Sequence, residues 1–347
     1  MIRFESEFRE ARILSPLNNF GSVTQIIEHR KDPLTKLSVV VLKGRMGYVK
    51  RFIESDQSFV DELVQRSADD CPFCPGAAER KAPRFVPEIA SEGMIQVGEA
   101  VCFPSLIAHD DFNALVIPSR MHNLKLNEFS APILTDAFKA AVQYFERVRA
   151  WNPEVKYSAI AINFLPPAGS TVAHFHMQAL ASDIPFRSIK ELLDASKAYA
   201  EEHGSSYWKD LIDTEERLGS RYIKRLGTVH WLTPFAPIGL NEAGAVVSGK
   251  STLDQTSDTE IRGLAEGIVR VARFYHDIGV RSFNLAVYPG PLGEFLDYYD
   301  TGLRIVSRYG YKPRFVSDTW ALQYLLGEHE VYDAPEETCS ALRKYFD

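Results

Sequence analysis

The sequence predicts an α+β fold in which one unit of strands and a long helix occurs twice. The first observation is an order of two strands, a long helix and two strands within residues 100–180. The second is the return of this order within residues 228–308, which indicates an internal repeat. The third is a charged, helix-like stretch at residues 186–225 between the two copies. We therefore expect one unit at residues 1–185 and another at residues 186–347.

The composition excludes several classes of protein. The chain has 347 residues, of which 45% are hydrophobic, so a sizeable core can form. A formal net charge of −7 argues against a protein that binds nucleic acid by neutralising phosphates. No apolar run approaches the ~20 residues of a membrane span, and the N-terminus has no signal-peptide pattern. We expect a cytoplasmic protein without a nucleic-acid or membrane partner.

The first unit is predicted to open with a hairpin and a helix. Residues 1–20 show no clear period and are expected to follow the surface irregularly. Residues 22–30 alternate like a strand and residues 37–42 are a β-branched run, with a proline-containing turn between them, which is typical of a hairpin. Apolar residues at helical spacing predict one amphipathic helix at residues 51–67.

Both units continue with the repeated order of strands around a long helix. In the first unit the predicted elements are residues 100–106, 113–118, 127–151, 156–163 and a strand that carries the histidines of residues 174–178 and runs through residue 180. In the second unit they are residues 228–233, 243–248, 257–278, 282–288 and 303–308. Residues 315–327 are predicted to form the final helix.

Residues 174–178, His-Phe-His-Met-Gln, carry the strongest functional signal. Side chains of a strand alternate between faces, so His174, His176 and Gln178 are expected on one face and the two apolar residues on the other. A loop of Pro-Pro-Ala-Gly-Ser-Thr precedes them, and its Gly169 would let the backbone approach a bound group. Neutral imidazole is a nucleophile and a metal ligand. We therefore expect one of these histidines to act on a phosphoryl group.

A second signal is the pair Cys71 and Cys74, two of only four cysteines. So few cysteines without a secretion signal do not form a disulfide framework. A Cys-x-x-Cys motif is then either a metal knuckle or a redox pair. A redox pair should begin a helix after a strand, whereas here Pro-Gly and a charged stretch follow. The pattern favours half of a zinc site, whose two missing ligands would be histidines.

The knuckle Cys-Pro-Phe-Cys-Pro-Gly and the His-x-His-x-Gln motif, at their mutual spacing, resemble the galactose-1-phosphate uridylyltransferase family, a tandem member of the histidine-triad superfamily. Weaker similarities bring the resemblance to almost the whole chain. They lie at residues 28–35, 45, 110–115, 118–130, 163–171, 230–232 and 314–315. The resemblance implies two tandem histidine-triad-like units, each an antiparallel sheet with a long helix, that form one extended sheet.

The resemblance also implies a structural zinc site. Its ligands would be Cys71, Cys74, His122 and His174. His109 is the rival of His122, which is preferred because the residues after it match the family's segment. The second unit lacks the histidines that hold a second metal in some family members, so we expect one metal only.

For the reaction, the resemblance implies that His176 is the nucleophile and forms a covalent nucleotidyl-histidine intermediate. Gln178 would donate a hydrogen bond to a phosphoryl oxygen, and residues 169–171 would surround the same phosphate. The expected substrate-binding residues are Arg30, Asp111, Phe112, Asn163, Gly169, Ser170, Thr171 and Gln178.

The leading hypothesis is a homodimeric nucleotidyltransferase that moves UMP between a nucleotide-sugar and a hexose 1-phosphate. The sequence differs from the family's pattern in two further places, one at the expected acceptor site and one in the length of a connecting region. Asp318-Thr319-Trp320 stands where the family has a glycine and a glutamate that contacts the hexose, and the region between knuckle and His122 is shorter. The first alternative is therefore a nucleotide-sugar or dinucleoside-tetraphosphate phosphorylase, with water as a weaker acceptor. A non-catalytic, zinc-stabilised nucleotide-binding protein is the alternative from another class.

Overall fold

The computed structural model describes residues 2–313 and 317–347, which form a large sheet, a small sheet and surrounding helices. The strands in chain order are β1 (Glu5–Ser15), β2 (Gly21–Lys31), β3 (Ser38–Val41), β4 (Ile95–Val97), β5 (Ala100–Pro104), β6 (Phe112–Ile117), β7 (Tyr157–Phe164), β8 (Met177–Ser182), β9 (Tyr222–Leu226), β10 (Val229–Leu232), β11 (Ala243–Val247), β12 (Ser282–Tyr288), β13 (Thr301–Arg308) and β14 (His329–Val331).

The helices vary in length from one turn to almost six. In chain order they are α1 (Met46–Ile53), α2 (Gln57–Arg66), α3 (Ala78–Lys81), α4 (Ala131–Trp151), α5 (Arg187–His203), α6 (Tyr207–Leu218), α7 (Asp258–Asp277), α8 (Ala321–Leu326) and α9 (Pro335–Phe346). Within the residues that the structure describes, none of these helices is long and apolar enough to cross a membrane.

The large sheet confirms the predicted α+β class and the single extended sheet. Its ten strands are ordered β4-β5-β6-β8-β7-β12-β13-β11-β10-β9, and all neighbours are antiparallel. Strands β7 and β12 meet at the centre, where Asn163 lies opposite Asn284. Outward from this junction the first half runs β7, β8, β6, β5, β4 and the second half β12, β13, β11, β10, β9. In both halves this is the fourth, fifth, third, second and first strand along the chain. The repeated order seen in the sequence therefore corresponds to two similar halves of one sheet.

The long helices α4 and α7 cover one face of the large sheet. Phe138 and Phe145 of α4 and Leu264 of α7 are buried in the core, as the helical spacing of apolar residues predicts. Helix α7 begins with a capping box in which the side chains of Ser257 and Glu260 satisfy free N–H groups of the first turn. The two helices also contact each other, so one continuous core joins both halves.

The opposite face of the large sheet is covered only in part. Helices α5 and α6 pack on the second half, where Trp208 lies in one apolar cluster with Leu232 of β10. In the first half, Ala161, Asn163 and Gln178 are half-buried positions of that face. We call this part, formed by β6, β8, β7 and the adjoining β12, the open face.

The small sheet corrects the prediction for the N-terminus. Its order is β1-β2-β3-β14, and the predicted hairpin is present as the antiparallel pair of β2 and β3. Residues 1–20 were expected to be irregular, but Glu5–Ser15 is a strand paired with β2 along its whole length. This ribbon is exposed on both faces, with Phe8 and Leu14 among its exposed residues. Without a buried face, the sequence shows no alternation from which a strand could be predicted.

Two helix predictions also need correction. The single helix expected at residues 51–67 is two helices: α1 ends at Ile53 with Glu54 in an extended conformation, and Asp56 caps α2 by accepting the Phe59 N–H. The final helix was expected at residues 315–327, of which Phe315 lies outside the described residues, as does the neighbouring Arg314. The structure has the short helix α8 there, and α9 follows it as the last helix.

Candidate metal centre and nucleophilic histidine

Four predicted ligands from three separate segments meet in one cluster. The ligand atoms of Cys71, Cys74, His122 and His174 all lie within 4.8 Å of one another. The Sγ atom of Cys71 is 3.6 Å from Nδ1 of His174, and Sγ of Cys74 is 3.3 Å from Nδ1 of His122 and 3.7 Å from Nδ1 of His174. The rival ligand, His109, is exposed and lies outside this cluster.

The distances in the cluster fit a tetrahedral zinc ion. Zn–S bonds of about 2.3 Å and Zn–N bonds of about 2.0 Å at tetrahedral angles separate sulfur from nitrogen by about 3.5 Å. Two thiolates and two imidazoles are also a ligand set that structural zinc prefers. The cluster could therefore hold one metal ion in a closed shell of protein ligands.

The hydrogen bonds behind the two histidines present the correct ring nitrogen to a metal. Nε2 of His174 donates to the Ser119 carbonyl at 2.9 Å, and Nε2 of His122 lies 3.0 Å from the Val64 carbonyl. Because a carbonyl only accepts hydrogen bonds, Nε2 carries the proton in both rings and Nδ1 keeps a lone pair toward the sulfurs. Burial lowers the pKa of His174 to about 4, so its ring is neutral at physiological pH.

His176 lies beside this cluster and has a defined tautomer. Its Nδ1 donates to the carbonyl of His174 at 2.9 Å, which leaves Nε2 unprotonated. The residue is buried, and burial lowers the pKa of His176, so the ring is neutral at physiological pH. A neutral imidazole with a free Nε2 lone pair is a competent nucleophile.

The predicted strand begins later than expected. Residues 174–176 do not belong to β8, which starts at Met177. In this segment the backbone carbonyl of His174 accepts a hydrogen bond from the ring of His176, a contact between side chain and backbone that is typical of irregular structure. The predicted alternation nevertheless holds, since Phe175 and Met177 are buried in the core and Gln178 is half-buried.

The loop before the histidines has two residues with positive φ. Leu165 (φ 67°) opens the loop in a conformation that non-glycine residues rarely adopt, and Gly169 (φ 92°) closes the short turn Pro166–Ala168. A Cβ atom at Gly169 would meet no other atom within 4 Å, so glycine is needed there for the backbone and not for space. Ser170 is buried and donates to the Val172 carbonyl, whereas Thr171 is exposed.

Asn163 and Gln178 lie on the open face next to His176. The register of β7 with β8 ends at the pair of Ile162 and Met177, and Asn163 and His176 are the next residues of the two segments. The Oδ1 atom of Asn163 accepts a hydrogen bond from Asn284. Within residues 2–313 and 317–347, neither the Nδ2 group of Asn163 nor the amide of Gln178 has a hydrogen-bond partner. Both amides are therefore free to bind a ligand.

Arg30 is not brought to this site. It is buried in the small sheet, where all five of its N–H groups donate to Glu28, Glu336 and the Phe235 carbonyl. Its guanidinium also lies over the Phe235 ring, 4.7 Å from the centroid. These contacts tie β2 to α9 and leave no N–H group of Arg30 for a ligand. A role of Arg30 in substrate binding stays a prediction without support from these contacts.

Asp111 and Phe112 lie at the other end of the open face. Phe112 pairs with Ala181, five residues along β8 from His176, which corresponds to about 16 Å. The Phe112 ring points to the helix side of the sheet and packs against Trp151 of α4, whereas Asp111 is exposed. Only the part of a substrate farthest from His176 would approach Asp111.

Three residues of the site were missed by the sequence analysis. Phe73, between the two cysteines, packs edge-on against the His176 ring, and Asn284 and Arg308 approach Asn163 from the second half. The knuckle motif itself could have drawn attention to Phe73, because a residue between two ligands must lie close to the metal shell. For Asn284 and Arg308 the sequence contains no such signal.

Comparison with known proteins identifies relatives over the whole chain, although no family model matches the sequence. An uncharacterized protein of Archaeoglobus fulgidus is 28% identical over 345 residues, which is 99% of this chain and 98% of that protein. ADP-glucose phosphorylase of Arabidopsis thaliana is 24% identical over 197 residues, which is 51% of this chain and 54% of that protein.

Two solved structures share the fold. An ADP-glucose phosphorylase from Arabidopsis thaliana with bound ADP-glucose has a TM-score of 0.69 and 19% identity, covering 92% of this chain and 98% of that chain. A uridylyltransferase has a TM-score of 0.65 and 16% identity, covering 84% of this chain and 98% of that chain. The chain has the fold of these proteins, which confirms, at the level of the fold, its resemblance to the galactose-1-phosphate uridylyltransferase family.

Proposed function

We propose that this chain is a nucleotidyltransferase of the galactose-1-phosphate uridylyltransferase family, with His176 as the nucleophile. The observation that carries the proposal is the hydrogen bond of 2.9 Å from Nδ1 of His176 to the His174 carbonyl, which leaves the Nε2 lone pair free. A ring held in this way can attack phosphorus without first losing a proton.

The proposed reaction consists of two displacements at one phosphorus atom. First, Nε2 of His176 forms a bond to the α-phosphorus of a nucleotide-sugar, and the bond to the bridging oxygen breaks, so that a sugar 1-phosphate leaves. In the second step a phosphate oxygen of the acceptor attacks the same phosphorus, and Nε2 leaves with its electron pair. The His174 carbonyl stabilises the positive charge of the ring while the intermediate exists, because Nδ1 keeps its proton throughout.

The residues around His176 are suited to hold the phosphoryl group. We propose that the free amide groups of Asn163 and Gln178 donate to its oxygens and that residues 169–171 approach it with backbone N–H groups. Asp111, at the far end of the open face, would then meet only the nucleoside part. Phe112 would support that end of the site from within the sheet.

Zinc is the metal that the cluster would hold, through Cys71, Cys74, His122 and His174. Its proposed role is structural, because four protein ligands leave no open position for a substrate. Bound there, it would fix the knuckle, residues 119–122 and the segment that carries His176 relative to one another.

The acceptor is hexose 1-phosphate in the leading proposal, with a uridine nucleotide-sugar as donor. Inorganic phosphate is the second candidate, and two observations favour it. The carboxylate of Asp318 accepts hydrogen bonds from Arg308 and from the Tyr309 N–H, so it is not free to bind a sugar. In addition, a relative in sequence and fold is named ADP-glucose phosphorylase.

The test is to incubate the protein with UDP-glucose or ADP-glucose, alone and with either phosphate or galactose 1-phosphate. Release of about one equivalent of glucose 1-phosphate without an acceptor would support the covalent intermediate. Nucleoside diphosphate as the product with phosphate would identify a phosphorylase, and UDP-galactose a uridylyltransferase. Absence of turnover with every pair would instead favour the non-catalytic binding protein.

Two substitutions separate the nucleophile from general effects. We expect His176→Ala to lower turnover by more than about 10³-fold with unchanged metal content. His109→Ala is the matched control, because this exposed histidine lies outside the cluster, and it should leave turnover unchanged. Full turnover in His176→Ala would show that the nucleophile is another group.

Three further proposals concern the organisation of the protein. We propose that residues 1–185 are the catalytic unit and residues 186–347 a second unit without the histidines. A homodimer is proposed from the family resemblance, and a cytoplasmic location remains a proposal. Light scattering of the purified protein tests the dimer directly.

A further inference from the structure

A chain of four polar side chains crosses the junction between the two halves of the large sheet. Asp318 accepts from Nε of Arg308 at 2.9 Å, and Nη1 of Arg308 donates to Oδ1 of Asn284 at 2.7 Å. Nδ2 of Asn284 then donates to Oδ1 of Asn163, also at 2.7 Å. The chain thus runs from the C-terminal segment through β13 and β12 to β7, and it ends beside His176.

The direction of this hydrogen-bond chain is determined by its first two members. A carboxylate only accepts and a guanidinium only donates, so the amide oxygen of Asn284 must face Arg308. Its NH2 group is then turned toward β7, and Asn163 must receive it with the amide oxygen. The NH2 group of Asn163 remains free as a hydrogen-bond donor on the open face. Neither amide can be flipped without leaving two donors or two acceptors opposite each other.

Asn284 also holds the loop that precedes the histidines. Its Nδ2 group donates a second hydrogen bond, of 2.8 Å, to the Ala168 carbonyl. This carbonyl belongs to the turn Pro166–Ala168, which leads directly to Gly169. One amide from the second half therefore contacts both the side chain and the loop that we place around the phosphoryl group.

We infer that Asn284 and Arg308, from the half without histidines, are positioning residues that orient Asn163 as a donor toward the phosphoryl group at His176. This inference rests on the proposed function. It assigns the second half a direct part in arranging the site, since an oriented donor interacts best with charge that develops on the phosphoryl oxygens. Arg308 acts through Asn284 and does not itself reach the substrate.

The first test is the substitution Asn284→Asp, which keeps the shape of the side chain and removes both donated hydrogen bonds. We expect the single-turnover rate of nucleotidyl-His176 formation to fall about 10- to 100-fold, because the free donor of Asn163 is no longer fixed. The measurement uses rapid quench and mass spectrometry of the labelled histidine peptide, with UDP-glucose or ADP-glucose, whichever the wild-type protein accepts.

Asn241→Asp is the matched control for this substitution. Asn241 is also half-buried in the second half and donates two hydrogen bonds, to Ser307 Oγ and Tyr309 Oη at 2.9 Å each. Asn241 is not part of the hydrogen-bond chain that ends at Asn163, so we expect the labelling rate to stay within about twofold of wild type. Equal slowing in Asn241→Asp and Asn284→Asp would overturn the inference, because it would indicate a general loss of packing.

The second test uses the charge and donor character of Arg308. Arg308→Lys keeps a group that only donates and should retain most of the labelling rate, whereas Arg308→Met should reduce it about as far as Asn284→Asp. In an Asn163→Ala background, Asn284→Asp should slow labelling much less than in wild type, because its effect passes largely through Asn163. Full additivity of the two substitutions would contradict the inference.

The outcomes distinguish this inference from the proposed function. If the wild-type protein labels no histidine with either donor, the proposed function fails. If the wild-type protein is labelled and Asn284→Asp is labelled equally fast, only the role of Asn284 and Arg308 fails. Thermal unfolding of each variant, measured in parallel, shows whether a slower rate accompanies a folded protein.

Discussion

Phe73 lies edge-on to His176, with the two ring centroids 5.2 Å apart and the planes at 64°. Phe73 is the residue between the two cysteines, so this contact joins the candidate metal centre directly to the candidate nucleophile. The ring of His176 is thereby held from two directions, by Phe73 and by the His174 carbonyl. Rings of this orientation attract each other through their quadrupoles, in addition to the apolar area that they bury.

Phe73→Ala is expected to slow formation of the covalent intermediate without loss of metal. Removing the ring lets His176 change its orientation, and a misplaced nucleophile lowers the rate by about 10- to 100-fold. The free energy of unfolding should fall by only about 1 to 2 kcal/mol, because Phe73 is half-buried. Single-turnover labelling, metal analysis and chemical denaturation measure the three quantities.

Phe59→Ala is the matched control for this prediction. Phe59 is also half-buried and makes an edge contact, at 5.8 Å, but its ring partner is Tyr311 and not a histidine. It should lower stability to a similar extent and leave the labelling rate unchanged. A Phe73→Ala protein that is labelled as fast as wild type would show that the contact has no catalytic consequence.

Loss of one cysteine ligand should abolish metal binding and destabilise the fold. Cys71→Ala removes a sulfur from the cluster, so we expect the metal content to fall from one equivalent to almost none. The free energy of unfolding should decrease by at least about 4 kcal/mol, the contribution of a ligand present at a thousand times its Kd. Plasma emission spectrometry and denaturant titration test both statements.

Cys102→Ala provides the control for the loss of a buried thiol. Cys102 is fully buried in β5 and lies outside the cluster, so the metal content of the Cys102→Ala protein should stay at one equivalent. The destabilisation should be about 1 kcal/mol, typical of one buried substitution. A wild-type protein purified without chelators that contains no metal would contradict the zinc assignment itself.

Arg30→Met tests whether this arginine is structural. The substitution leaves the carboxylate of Glu28 without its arginine partner and that of Glu336 with Arg221 alone, so we expect a loss of about 3 kcal/mol of stability. KM for the nucleotide-sugar should not change if the five donated hydrogen bonds serve the fold alone. Arg9→Met, at an exposed arginine of the same sheet that pairs with Glu7, should change neither quantity. A large rise in KM for Arg30→Met would instead support the original prediction of substrate binding.

Gly169→Ala tests the loop before the histidines. Its φ of 92° costs an L-residue about 1 kcal/mol, and no neighbouring atom would clash with the new methyl group. We expect the backbone to relax and the labelling rate to fall, while Gly169→Asn, which tolerates this φ better, should be slowed less.

Gly204→Ala is the matched control for the loop. Gly204 ends α5 with a φ of 68°, and its Cβ would likewise meet open space. It should therefore lower stability by about the same amount without any effect on labelling. If the Gly169→Ala protein were labelled as fast as the wild-type protein, the loop would not surround the phosphoryl group.

The elements with a strong periodic pattern were predicted well from the sequence. The ends of helices α4 and α7 lie within four residues of the predicted ends, because each helix buries a continuous apolar stripe against the sheet. The strand β1 was missed because both of its faces are exposed. The division between α1 and α2 was missed because the capping role of Asp56 depends on a single hydrogen bond.

The candidate metal ligands were accessible to sequence reasoning for a chemical reason. Zinc prefers thiolates and imidazoles, so the Cys-x-x-Cys pair predicted half of a site that histidines would complete, and the resemblance to the family then implied His122 and His174. The structure then distinguished His122 from His109, because only the approach of residues 119–122 to the knuckle brings a second imidazole to the sulfurs.

The sequence by itself determined the class of fold, because periodicity predicts the elements and their repeated order. Residue chemistry predicted half of a zinc site at the two cysteines and a functional histidine at residue 174 or 176, whereas the full ligand set and His176 as the nucleophile were implied by the resemblance to the family. Only the tertiary structure decided that Arg30 is engaged within the small sheet and that Asn284 contacts Asn163 across 121 positions of the chain. The physical reason is that this contact depends on the register between β7 and β12. A register results from the packing of both halves on one core, and no local pattern encodes it.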